Sequence, residues 1–272
     1  ATSGAYALWD ESADELALTG NSKLSFYDAA GGENIVASAD GHLEINEGTT
    51  LDITAATTQV NASTLFDVNA AAAHCKDELG ENWEELADVW RTKQLNYTWL
   101  RSLMDEFVGF WQVTEDALDF ALETLGIDNE ELKFRLLSLY EELDAFPEVL
   151  EVLRKLKERS ITTAILSNGT NQMLGAAIRS AGIEKFLDHV ISVDQLKIYK
   201  PHPAVYRLAV DKLFLSAEQI CFLSSNAWDV AGGANFGFRA VWINRLGQKQ
   251  ERLPGEAVSE LDSLNELPGL IL

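Results

Sequence analysis

The chain is poor in cysteine, in proline and in positive charge, and it has no long apolar run. Two cysteines among 272 residues, Cys75 and Cys221, form at most one bridge. A disulfide scaffold is therefore excluded, and a reducing, cytoplasmic setting is expected. Lys and Arg total 21 against 43 Asp and Glu, a formal net charge of −22. Such a chain is repelled by nucleic acid and by anionic membrane surfaces, so neither is expected as a partner. No stretch reaches the ~18–20 apolar residues that span a bilayer. The opening ATSGAYALWDES has neither the basic n-region nor the apolar core of a secretory leader. It also lacks Met, so a processed or truncated chain is expected. Hydrophobic residues make up 47% and charged residues 24%, the balance of a folded globular protein with room for one large domain or two smaller ones.

The character changes near residue 64. Residues 1–63 carry ten acids and one base, Lys23. They read as short strands, KLSFY, LEI and LDI, separated by the turn-forming stretches DAAGGEN, SADGH and NEGTT. Leu43/Ile45 and Leu51/Ile53 make two L-x-I steps, a β-repeat of the kind that needs neighbours for stability. From residue 69 to 145 the pattern is helical, with Thr114 the expected N-cap of EDALDFALETL and Gly126 just past its end. After Pro147 the runs TTAILS, HVISV, QICFLS and RAVWIN alternate with helix-length stretches. That alternation predicts an α/β fold: a Rossmann-like parallel sheet with helices on both faces. The expected division is thus a β-rich segment 1–63, an α/β core over 64–68 and 146–272, and a helical bundle inserted at 69–145.

In parallel sheets, ligands gather at the carboxyl ends of strands. Three such ends are chemically loaded: Ser167-Asn168-Gly169-Thr170, Tyr199-Lys200-Pro201, and Ser224-Ser225-Asn226-Ala227-Trp228-Asp229. Each has an ordinary explanation when taken singly. Ser167 or Asn168 caps the next helix, Lys200 is a solvated charge, and Asp229 is a first-turn acid. Three loaded ends in one sheet, in this order, argue instead for a site.

The segments LSNG, YKPHPAVY and SSNAWD resemble the second, third and fourth motifs of the haloacid dehalogenase superfamily. With WRTKQLNYTWLRSLM and WINR added, residues 64–272 resemble its type II branch, the L-2-haloacid dehalogenases. The segment 1–63 weakly resembles β-repeats of phage tail and fibre proteins. The resemblance implies a metal-independent, cofactor-free hydrolase of carbon–halide bonds. In such an enzyme a carboxylate displaces halide from an L-2-haloalkanoate through an aspartyl ester, and water releases the D-2-hydroxyalkanoate. It also implies a helical cap and a possible homodimer. Carried onto this chain, it assigns halide capture to Arg91 assisted by Asn168, and substrate-carboxylate binding to Ser167. Lys200 would keep the attacking carboxylate ionised, and Asp229 with Ser224 and Asn226 would handle the hydrolytic water. Thr64 and Tyr206 would support the site, with Leu95, Phe110 and Trp228 as the apolar wall, although core packing explains those three equally, Leu95 above all. Phosphatases of the superfamily hold Mg²⁺ with two acids four apart. Here Ser225 precedes Asp229 at that spacing, and the four His show no ligand spacing, so no metal is expected.

The attacking residue is missing. The family's first motif reads Asp-x-Tyr-Gly-Thr-Leu-Phe-Asp, and this chain reads Val60-Asn61-Ala62-Ser63-Thr64-Leu65-Phe66-Asp67. Val60 has no nucleophilic atom, Asn61 supplies no carboxylate, and Asp67 matches the motif's downstream acid. TAATTQV is also too polar for a central parallel strand, which is normally a near-continuous apolar run. A chimeric chain is expected, with a β-repeat joined to a dehalogenase that has lost its first strand and much of its activity. The alternative is a non-catalytic binding or structural protein with a phage-like N-terminus. A phosphatase is disfavoured by Ser225.

Overall fold

A computed structural model describes residues 57–60, 62–67 and 69–271, and the strand backbones at 6–10, 15–19, 23–25, 34–37 and 43–46. The chain divides into two units, Ala1–Ile53 and Thr54–Leu272. In the first, β1 (Tyr6–Asp10) pairs antiparallel with β2 (Glu15–Thr19). A second antiparallel sheet joins β3 (Lys23–Ser25), β4 (Asn34–Ala37) and β5 (Leu43–Asn46). Leu43 and Ile45 of the first L-x-I step fall in β5. Leu51 and Ile53 of the second lie outside the described residues.

The second unit is built on a six-stranded parallel sheet of order β11-β10-β9-β6-β7-β8. Its strands are β6 (Thr57–Val60), β7 (Thr162–Ser167), β8 (His189–Ser192), β9 (Ile220–Ser224), β10 (Arg239–Ile243) and β11 (Ser259–Leu261). The four apolar runs of the sequence are β7 to β10. Two strands were not anticipated from their composition, and one of them is central. TTQV forms β6, pairing Val60 with Ile165 on one side and Leu223 on the other. The division therefore falls after Ile53, ahead of the boundary expected after residue 63. The first-strand slot is filled, by polar residues. All four residues of β6 are buried. Thr58 Oγ1 and both polar atoms of the Gln59 amide are buried with no hydrogen-bond partner. Each such group costs about 1–3 kcal/mol.

The helices follow in chain order: α1 (Ala62–Leu65), α2 (Ala70–His74), α3 (Lys76–Leu79), α4 (Trp83–Leu103), α5 (Phe110–Thr124), α6 (Glu130–Glu141), α7 (Val149–Glu158), α8 (Asn171–Ser180), α9 (Pro203–Leu213), α10 (Ala227–Phe236) and α11 (Leu267–Leu270). The helical insert, α2 to α6, leaves and re-enters the core side by side. Phe66 and Ala145 make an antiparallel bridge, Asp67 N donates to Asp144 O at 3.0 Å, and Phe146 N donates to Leu65 O at 3.0 Å. Thr114 is not the N-cap of α5. That helix begins four residues earlier, after the extended Gly109, and Thr114 is buried inside it with its hydroxyl donating to Phe110 O at 2.8 Å. Gly126 does lie past the end of α5 with φ +66°, a backbone conformation that glycine adopts without a Cβ clash. Gly233 in α10 has a different reason, since a Cβ there would come within 2.6 Å of the Phe222 ring. The helix can settle on the sheet only without one.

Candidate active site

Parallel pairing brings the carboxyl ends of β6, β7 and β9 to one rim, and α4, α5 and α6 of the insert supply further walls of the same cavity. The cavity has a volume of about 80 Å³. Of the residues predicted from sequence, Arg91, Leu95, Phe110, Ser167, Asn168, Lys200, Asn226 and Trp228 line it. Thr64, Tyr206, Ser224 and Asp229 do not line it; all four are fully buried. Val60 is buried as well, 1% exposed.

Lys200 is the centre of the charged part. Its side chain is 1% exposed, and its ammonium donates to Asp229 Oδ2 at 3.1 Å. The other oxygen of Asp229 accepts from the Tyr206 hydroxyl at 2.8 Å. Burial pulls the Lys200 pKa below the ordinary lysine value, and Asp229 offsets part of that shift. Burial and the neighbouring carboxylate both push the Tyr206 phenol upward, so it stays a hydrogen-bond donor. The Lys200 backbone N–H donates to Asn168 Oδ1 at 3.1 Å, which ties two of the strand ends together. Ser167 Oγ accepts from Gly169 N at 3.0 Å and Ser224 Oγ from Asn226 N at 3.2 Å. Both serines therefore shape the turns that follow their strands. Thr170, rather than Ser167 or Asn168, caps α8, accepting from Met173 N at 3.2 Å.

Arg91 reaches in from α4. One arm of its guanidinium donates to Gln94 Oε1 at 2.8 Å and the other to Asn226 Oδ1 at 3.3 Å. Asn226 in turn donates to Ser63 Oγ at 2.8 Å, in α1 just after β6. Ser225 Oγ donates to Thr64 Oγ1 at 3.4 Å, so four residues before Asp229 a hydroxyl faces a hydroxyl. Among the described residues, no group of three His, Cys, Asp or Glu side chains comes together as a metal site.

Several contributors carry no signal in the sequence. Gln94, 1% exposed, donates to Thr114 Oγ1 at 2.8 Å and to the Tyr140 hydroxyl at 3.0 Å while holding Arg91. It links α4, α5 and α6 behind the guanidinium. Tyr140 itself lines the cavity, together with Leu143 and the α8 residues Met173, Leu174 and Ala177. In sequence these are helix-face positions, and helical spacing alone does not distinguish them from core. Arg245 of the WINR segment lies outside the cavity. It donates to Thr64 O at 3.2 Å, pairs with Glu148 at 2.6 Å and lies 3.8 Å from the Phe146 ring centroid.

A parallel sheet with loaded strand ends under a helical insert defines a class. Residues 46–237 match the haloacid dehalogenase-like hydrolases, and the chain belongs to that family. Within it, the chain is 48% identical to (S)-2-haloacid dehalogenase 1 of Pseudomonas sp. strain CBS-3, over 77% of this chain and 92% of that one. It is 45% identical to (S)-2-haloacid dehalogenase 4A of Burkholderia cepacia, over 75% and 89%. The solved L-2-haloacid dehalogenase of Xanthobacter autotrophicus with chloropropionic acid covalently bound superposes with a TM-score of 0.74. It is 33% identical and covers 80% of this chain and 98% of its own.

Proposed function

We propose that the cavity is the pocket of an L-2-haloacid dehalogenase that has lost its attacking carboxylate, so that the chain as it stands binds but releases little or no halide. The observation that carries this reading is the cavity wall. It holds two cationic side chains, Arg91 and Lys200, and no acid among the described residues. In the intact reaction Arg91 and Asn168 receive the departing halide and Ser167 holds the substrate carboxylate. Lys200 keeps the attacking carboxylate ionised, and Asn226 directs water at the ester from the wall, with Ser224 and Asp229 acting from behind it. Tyr206 fixes Asp229, and Thr64, in α1, accepts from Ser225. Leu95, Phe110 and Trp228 exclude water around the alkyl group. Val60 contributes no lone pair, so the ester does not form. Asp229 is no substitute, because it is fully buried, held by Lys200 and Tyr206, and absent from the cavity wall. The chemistry needs no metal or organic cofactor. Two free, buried thiols favour a cytoplasmic setting; burial pushes that of Cys221 up to about 12.

The test is chloride release from L-2-chloropropionate. The chain as given is expected to be inert. Val60→Asp, alone or with Ala62→Tyr and Ser63→Gly, is expected to raise the rate by several orders of magnitude. Release by the unaltered chain, or no rescue by either variant in folded protein, rejects the reading. The same wall favours a second reading, a binding protein that never turns over its ligand.

A further inference from the structure

We propose that Lys200 is an imine-forming nucleophile, whose amine condenses reversibly with the ketone of a small 2-oxo acid held in the cavity. The proposal shares its cavity with the reading above and uses none of the dehalogenation steps.

The wall offers a ligand few reactive atoms. Among the described residues it carries no Cys, no His and no acid. The hydroxyls of Ser63 and Ser167 lie on it, but they accept hydrogen bonds from Asn226 and from Gly169 N, and no base lines the wall to activate either one. The amine of Lys200 remains. It lines the cavity, is 1% exposed, and has the Phe222 ring centroid 4.8 Å from Nζ. In that setting burial favours the neutral, nucleophilic form and draws the pKa down. A desolvated lysine is the side chain suited to forming an imine with a carbonyl compound.

Asp229 fits this reaction without being displaced. An ammonium and a ketone give an iminium and one water. The C–N bond forms and the C–O bond breaks. Two of the ammonium protons leave in the water, and the third stays on nitrogen. Asp229 Oδ2, 3.1 Å from Nζ, takes a proton while the lone pair attacks and gives it up as water departs. It then faces an iminium where it faced an ammonium, so the buried carboxylate keeps a cationic partner.

Arg91 selects the acid. Its guanidinium lines the same cavity, and its hydrogen bonds there go to the neutral amides of Gln94 and Asn226, at 2.8 and 3.3 Å. A carboxylate next to the reacting carbonyl answers that charge, and a simple ketone or aldehyde does not. Size limits the rest. At roughly 10–15 Å³ per water-sized group, a cavity of about 80 Å³ holds about five to eight heavy atoms, enough for pyruvate or 2-oxobutyrate.

The test is reductive trapping. The full chain is incubated with sodium pyruvate and then treated with sodium borohydride, which fixes the imine as a secondary amine. The expected product is heavier by one pyruvic acid less one oxygen atom. Peptide mapping by tandem mass spectrometry is expected to place the label on Lys200, roughly tenfold or more above any other lysine. Acetone, which has the ketone without the carboxylate, is expected to label roughly tenfold less. Lys200→Met, with its melting temperature checked, is expected to lose the label, and the map of the unaltered chain decides the matter if that variant does not fold. No label, a label spread evenly over the lysines, equal labelling by acetone, or a label that persists in Lys200→Met overturns the proposal. These readouts are separate from chloride release. Rescue by Val60→Asp with no label on the unaltered chain sinks this inference and leaves the dehalogenase reading. A label on Lys200 without rescue does the reverse.

Discussion

Lys200 is a cation 1% exposed whose pKa burial has drawn down, and that makes stability depend on pH. The folded chain gives up this proton at lower pH than the unfolded chain does. Between those two values the unfolded state carries more protons, and the Lys200 contribution to stability rises with pH. Tyr199 and Tyr206 act the other way on stability, because burial raises both. Their stabilising effect is complete below the ordinary tyrosine value near ~10 and is lost above it. Subtracting the denaturation profile of Lys200→Met from that of the unaltered chain should show a difference that grows with pH. Gln94 supports the other cation. Gln94→Leu removes the acceptor from Arg91 and partners from Thr114 and Tyr140, at a cost of about 1–3 kcal/mol in a urea titration. Bromide quenching of tryptophan fluorescence should weaken in parallel. Lys200 and Asn168 were legible because parallel topology forces strand ends together, whereas Arg91, on α4, was legible only through the family resemblance. Gln94 was not, because a lone amide on an apolar helix face gives no sign of what it holds.

The strand β6 shows how an element can form against its own composition. The apolar runs of β7, β9 and β10 could be read directly, because a strand covered on both faces is a short continuous hydrophobic segment. TTQV offers no such run. It is a strand because β7 and β9 present ladders on both sides, and because Thr and Val tolerate the extended backbone well. The cost is visible in the unpartnered atoms of Thr58 and Gln59. Gln59→Leu keeps the volume and removes two of those atoms. It should stabilise the chain by about 1–3 kcal/mol, measured as a higher urea midpoint at unchanged slope. A lower midpoint would mean that the Gln59 amide finds partners. The early start of α5 was missed for another reason: Thr114 has the chemistry of a cap, but its hydroxyl serves the interior of the helix.

At the scale of the whole molecule, the parallel sheet followed from the alternation of runs and helices, while the strand order, with the place of β6 and the edge strand β11, came from the structure. SEL is too short and too polar to announce itself. The division after Ile53 gives the larger unit its own sheet and core. A chain starting at Thr54 should unfold at the same urea concentration as the full chain, within about 0.5 kcal/mol. A large loss would show that residues 1–53 hold β6 in place. The bridge between Phe66 and Ala145 has a practical reading as well. Since the chain departs and returns through one pair of neighbouring backbones, a tight turn joining those two positions would bypass the whole excursion. The excised segment, its own two ends adjacent, becomes an exchangeable part that can be grafted onto a related core to transfer its share of the pocket wall.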